Sequence, residues 1–101
     1  MIKHIVLWKL DDSYTTAEKE AVKHAMRKKL LDLREDIGEI VQIEVYLNSP
    51  EASSDNYDIL LDTSFNTMSD LATYQAHPSH QKVVKYIGTL KLQRSAIDYS
   101  Y

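Results

Sequence analysis

The sequence predicts an α+β fold of ferredoxin-like type, β-α-β-β-α-β, with helices on one side of an antiparallel four-stranded sheet. Three observations predict it. Short stretches alternate apolar and polar residues with the period of a strand. Two longer stretches repeat apolar residues at helical spacing. Between them lie turn and stop signals at Gly38, across the polar loop "NSPEASSDN", and at Gly88.

The first strand is Ile2 to Leu10. One face carries Ile2, His4, Val6, Trp8 and Leu10, the other Lys3, Ile5, Leu7 and Lys9. Its middle is apolar on both faces, so both faces are expected to be covered. The stretch "TTAEKEAVKHAMRKKLLDL" reads as a helix. Thr15 and Glu18 form a T-x-x-E capping box. Ala17, Ala21, Val22, Ala25, Met26, Leu30 and Leu33 follow at helical spacing, and the helix is expected to end before Gly38. Lys28 and Lys29 fall in its later turns, where positive charge suits the helix dipole.

"IVQIEVYL" reads as the second strand. Val41, Ile43, Val45 and Leu47 form one face, and Gln42, Glu44 and Tyr46 the other. "YDILLDTSF" is the third, with Tyr57, Ile59, Leu61, Thr63 and Phe65 facing one way. A second helical region starts near Asn66 or Thr67, with Met68, Leu71, Ala72 and Tyr74 as its apolar stripe. Pro78 interrupts it, because a proline pushes the residue before it, His77, out of the helical region. Pro78 also suits the first position of a new short helix through Val83, Val84 and Ile87 to Gly88. The fourth strand runs around Arg94 to Tyr99.

This order leaves one sheet face without a partner inside the chain. The first strand is apolar on that side too, and an exposed apolar sheet face marks an interface. A two-fold homodimer, sheet against sheet, is the economical arrangement. The chain of 101 residues suits a single domain over residues 1–101, and domains of this size often gain from self-association.

Composition narrows the function. The formal net charge is −3, and the densest basic cluster, Arg27-Lys28-Lys29, sits among acidic residues, so no nucleic-acid partner is expected. The absence of cysteine removes disulfides, thiolate zinc sites and cysteine nucleophiles. No stretch approaches the roughly 20 apolar residues of a membrane span. The start "MIKHIVLWKLDD" lacks the pattern of a signal peptide. A cytoplasmic protein with no membrane partner is the expectation. Only two glycines are present, so no phosphate loop exists, and no nucleophile elbow appears.

The chemistry-bearing residues cluster in "YQAHPSH". His80 titrates near neutrality and suits a general base. Tyr74 suits a hydrogen-bond donor to a developing enolate oxygen. The two flank the Pro78 break, which can turn both toward one pocket. The alternative is that His80 satisfies backbone groups at a helix start. His4, Trp8 and His77 are candidate substrate contacts. Each has a structural alternative: a hydrogen-bonded core histidine, an aromatic that fills the dimer core, and a helix cap. A metal site from His4, His77 and His80 lacks an acidic ligand at recognisable spacing, and the proline spoils a one-face histidine pair, so no metal is expected. His24, among Lys23, Arg27 and Lys28, is expected to be solvated.

The opening "IKHIVLWKL", the strand "YDILLDTSF", the segment "LATYQAHPSHQKVV" and the ending "RSAIDY" together resemble the stress-responsive dimeric α/β-barrel (Dabb) family over nearly the full chain. The resemblance implies a dimer whose two sheets close into one barrel, with a pocket between sheet and helices in each subunit. No cofactor is expected. Family members include plant stress-associated proteins and a polyketide cyclase that closes a ring by intramolecular aldol condensation. In cyclase-like members a histidine acts as base and a tyrosine positions the substrate, corresponding to His80 and Tyr74, with a pocket histidine corresponding to His4. A small apolar or polyketide-like ligand is the implied partner, and a non-catalytic ligand-binding or structural stress-response dimer is the alternative. Some plant members hold magnesium through backbone carbonyls after the first helix. Here that stretch is "LDLREDIGEI", without their proline, so the metal is not carried over.

Overall fold

The computed structural model describes residues 1–101. Strand β1 (Ile2–Leu10) leads to helix α1 (Thr16–Asp36), then strands β2 (Gln42–Leu47) and β3 (Ile59–Phe65). Helices α2 (Met68–Ala76) and α3 (Pro78–Gly88) follow, and strand β4 (Leu92–Ser100) closes the sheet. The strands lie in the order β2-β3-β1-β4, every neighbouring pair antiparallel. This is the expected ferredoxin-like α+β fold, and the second helical region is divided at Pro78.

The doubly apolar β1 takes a central place, hydrogen-bonded to β3 on one side and β4 on the other. Its Ile2, His4, Val6, Trp8 and Leu10 are buried beneath the helices. Ile43, Val45, Ile59, Leu61 and Phe65 join them from β2 and β3, and Met26, Leu30 and Leu33 press down from α1. Each such side chain, fully buried, contributes about 1.5–3 kcal/mol of transfer free energy.

Helix α1 starts on the capping box. The Thr15 hydroxyl accepts from the Glu18 N–H at 3.1 Å, and the Glu18 carboxylate accepts from the Thr15 N–H at 2.8 Å. It ends as the chain turns extended at Ile37, which buries its side chain while its N–H still donates to the Leu33 carbonyl. The stop before Gly38 therefore owes nothing to a left-handed cap, since no residue has positive φ. The buried anchor Ile37 did not feature in the helical pattern read from sequence.

Two expected core faces are narrower than their patterns. Val41 lies outside β2 and is half exposed, although its N–H donates to the Ser64 carbonyl at 2.9 Å. In α2 only Leu71 and Tyr74 are buried. At about 100° per residue, Met68 lies about 120° and Ala72 about 160° around the helix from Tyr74, so neither faces the sheet. Both are exposed.

The opposite sheet face has no helix. Ile5 stands between Asp62 and Ile97, and Leu7 between Leu60 and Ser95. Ile97 is 61% and Tyr46 56% exposed there, so large apolar side chains face outward. At one end Lys3 ties three strands: its ammonium reaches Asp62 at 2.7 Å, Ser64 at 3.0 Å and Gln42 at 3.1 Å. The chain's two ends lie together, the Tyr101 N–H donating to the Met1 carbonyl. No helix is long and apolar enough to cross a membrane.

Candidate functional site

Between the covered sheet face and α3 lies a cavity of about 110 Å³. Val6, Leu30, Leu61, Val83 and Ile87 make its walls mostly apolar, and His4, Trp8, Tyr74, His80 and Arg94 are its chemistry-bearing lining. Among the lining residues Gln75, Val84 and Arg94 are exposed, so the cavity meets the surface between the two short helices and β4. Its existence follows from how α3 is built. Val83, Tyr86 and Ile87 are only half-buried, and α3 has no fully buried residue. The helix roofs the sheet with Val83, Tyr86 and Ile87 resting against the edge of the core, none of them fully buried. A cavity of this size is smaller than the ~150 Å³ that takes benzene, and it is below the ~300–1,000 Å³ of drug-sized pockets.

The proline break assembles the site's chemistry. His77 adopts φ −64° and ψ 137°, the extended conformation that a following proline imposes. The chain direction changes there, so Tyr74 in the last turn of α2 meets His80 in the first turn of α3. Their ring centroids are 4.4 Å apart. Tyr74 also packs on Phe65 at 5.0 Å and stands edge-on to His4 at 6.3 Å. Tyr74 is fully buried and its hydroxyl has no hydrogen-bond partner. Burial pushes the phenol well above its ordinary value, so the group stays a neutral donor.

The protonation of His80 follows from its neighbours. Its Nδ1 lies 3.1 Å from the Gln75 carbonyl oxygen, which only accepts, so Nδ1 carries the hydrogen. In the neutral ring Nε2 then bears the lone pair. The Gln81 side chain donates to the same carbonyl at 2.7 Å and fixes the turn. Burial lowers the His80 pKa below the usual histidine value, against the Gln75 bond, which raises it; the nearby Arg94 guanidinium adds to the lowering. His80 is therefore a neutral base at pH 7.

His4 is buried on β1, and its Nδ1 lies 2.5 Å from the Asp98 carboxylate of β4. The Thr63 hydroxyl donates to the His4 backbone carbonyl and holds that strand position. Asp98 orients the imidazole, and sequence reading did not single it out. Its only signal is position: as the antiparallel partner of His4 it shares the helix side of the sheet, a relation that appears only once register is known.

Trp8 lines the cavity and is also core, 4% exposed, with its indole N–H buried and without an acceptor. The structure does not bring His77 to the cavity. Its Nδ1 accepts the Ser79 N–H at 3.0 Å and caps α3, the structural alternative named for it. His24 is exposed beside Glu20. No three His, Asp or Glu side chains converge as a metal ligand set.

The profile of the family described as the stress responsive A/B barrel domain, Dabb, matches residues 2–101. The chain belongs to the Dabb family. A dimeric protein of unknown function and ferredoxin-like fold from Bacteroides fragilis is similar to this Dabb chain at 32% identity, over 99% of this chain and 95% of that one, with a TM-score of 0.89. A Dabb family protein from Mesorhizobium loti shares 22% identity over 99% and 95% of the two chains, TM-score 0.71. The hydroxynitrile lyase of Passiflora edulis shares the fold at 14% identity, over 97% and 90%, TM-score 0.73. No curated protein matches the chain.

Proposed function

We propose that this Dabb chain is a homodimeric small-molecule-binding protein that performs cofactor-free proton transfer, with His80 as base and Tyr74 as polariser. The observation that carries the reading is the contact of Tyr74 and His80 on the wall of one apolar cavity. The base keeps its lone pair on Nε2, and the phenol keeps an unused proton. A carbon acid held there loses its proton to Nε2 as negative charge develops on the adjacent carbonyl oxygen, where the Tyr74 hydroxyl donates. His4, fixed by Asp98, completes the polar end. The likeness to a hydroxynitrile lyase fold is compatible with carbonyl chemistry and contributes nothing residue by residue.

The test is hydrogen–deuterium exchange at the α-carbon of small enolisable ketones in D₂O, followed by NMR. Exchange above the buffer rate that falls at least tenfold in both His80→Gln and Tyr74→Phe is expected. Exchange unchanged in both variants refutes the assignment.

A second reading, a non-catalytic binder, is favoured by one observation: the Tyr74 hydroxyl is sealed from solvent. A polyketide-like ligand would need α3 to move outward, since the cavity is only about 110 Å³. Homodimerisation through the open sheet face is supported by its outward Ile97, Tyr46 and Tyr99 and by the dimeric relative from Bacteroides fragilis. Sedimentation of a stable monomer at micromolar concentration would contradict it.

A further inference from the structure

The cavity has two chemically different ends. Around Tyr74 gather His80, His4 and the carboxylate of Asp98. Trp8 and Arg94 lie further along β1 and β4, with Arg94 still near enough to His80 for its charge to act on the imidazole. His4 and Trp8 are four residues apart on β1, which places their Cα atoms about 13 Å apart along the strand. Between them the wall is Val6 and Leu61.

Trp8 and Arg94 are direct partners across the β1–β4 ladder, so their side chains leave the same sheet face side by side. Each has unused N–H groups. The indole N–H is buried without an acceptor and is closed off from the cavity as it stands. Arg94 is exposed at the opening and forms no ion pair with any carboxylate of the chain. A guanidinium offers a planar fork that matches a carboxylate. The fixed negative charge, Asp98, is engaged by His4 at the far end, so the field along the cavity favours an anion beside Arg94 and away from Asp98.

Resting on the proton-transfer reading above, we propose that the site takes a small 2-oxo acid, its carboxylate held by Arg94 over the Trp8 side of the cavity. The volume is below the ~150 Å³ of a cavity that takes benzene, so it suits only the smallest 2-oxo acids, such as pyruvate, and is far below that of a polyketide. The reacting carbon then points toward His80. The Cα–H bond breaks, the proton passes to His80 Nε2, and the electron pair moves into the carbonyl to give an enolate that accepts from Tyr74. Return of a proton from the imidazolium regenerates the acid, and in D₂O the returned atom is deuterium.

The experiment compares pyruvate with 3-methyl-2-butanone, a neutral ketone of the same shape with isopropyl in place of carboxylate. Binding is read by NMR titration of the protein, and α-exchange by loss of the ligand methyl signal in D₂O. Wild type is expected to bind pyruvate at least tenfold more tightly than the ketone. Arg94→Gln, at an exposed position of the lining, is expected to abolish that preference by weakening pyruvate at least tenfold more than the ketone. Equal binding of both probes, a preference that survives Arg94→Gln, or no response to either overturns the 2-oxo-acid assignment. The proton-transfer reading then stands or falls separately on His80-dependent exchange of the ketone. Arg94-dependent pyruvate binding without exchange above buffer supports the ligand class and overturns the catalytic reading.

Discussion

Helices α1 and α3 lie over the same sheet and pack against it differently. Helix α1 drives Met26, Leu30 and Leu33 to full burial. Helix α3 is sharply amphipathic, with Val83, Val84 and Ile87 on one side, yet none of its side chains is fully buried. Amphipathic pattern and packing depth are thus separate properties. The long helix closes the core over β2 and β3. The short one, starting from a proline-fixed direction, stands off the sheet and leaves the space that His80 and Tyr74 border.

The contrast can be broken by substitution. Met26→Ala is expected to destabilise by about 2–5 kcal/mol, the range for a large core side chain cut to alanine, read as a shift in urea midpoint. Next comes the start of α1: Thr15→Ala removes the capping box and is expected to cost about 1 kcal/mol. Val84→Ala on α3 should cost less, roughly 0.5 kcal/mol or below, as expected for a side chain already half in water. If Val84→Ala matches Met26→Ala, α3 is core and the contrast fails.

The smallest effect is in pH. His80 has its folded pKa depressed below the unfolded value of 6.5, so the unfolded chain binds the proton more readily. Its contribution is complete above pH 6.5 and declines as pH falls through and below that value. His80→Gln is expected to flatten this part of the stability profile, measured by urea midpoints at several pH values. The same shift places the acid limb of any His80-dependent exchange below pH 6.5. An acid limb above that value would identify a different base.

The strands, the capping box and the break at Pro78 were legible because each rests on local rules: period two, a T-x-x-E spacing, and the restriction before proline. Tyr74 and His80 were legible as a pair for the same reason, since one break separates them. For Trp8 the alternation fixes the face but not the role: pocket wall and dimer core were alternatives, and the residue lies in the chain's own core with one side on the cavity. The rest depends on contacts distant in sequence. Asp98 meets His4 only through the β1–β4 register, and Arg94 reaches Trp8 the same way. His77 resolved as a cap because its ring nitrogen accepts a nearby backbone N–H. Val41 and Met68 were overcounted because a pattern does not reveal where a sheet or a partner helix stops.

The His4–Asp98 contact joins residues separated by 94 positions in the chain. It therefore has one of the largest loop-closure costs in the molecule, and contacts of such separation slow folding. During synthesis β1 emerges first and its partner β4 last. The cavity's histidine end thus remains unfinished until Asp98 has left the ribosome, while α1, β2 and β3 can begin to associate earlier. Ligand competence would arrive late on the growing chain, and a ribosome stalled before Asp98 would display much of the fold without the oriented imidazole.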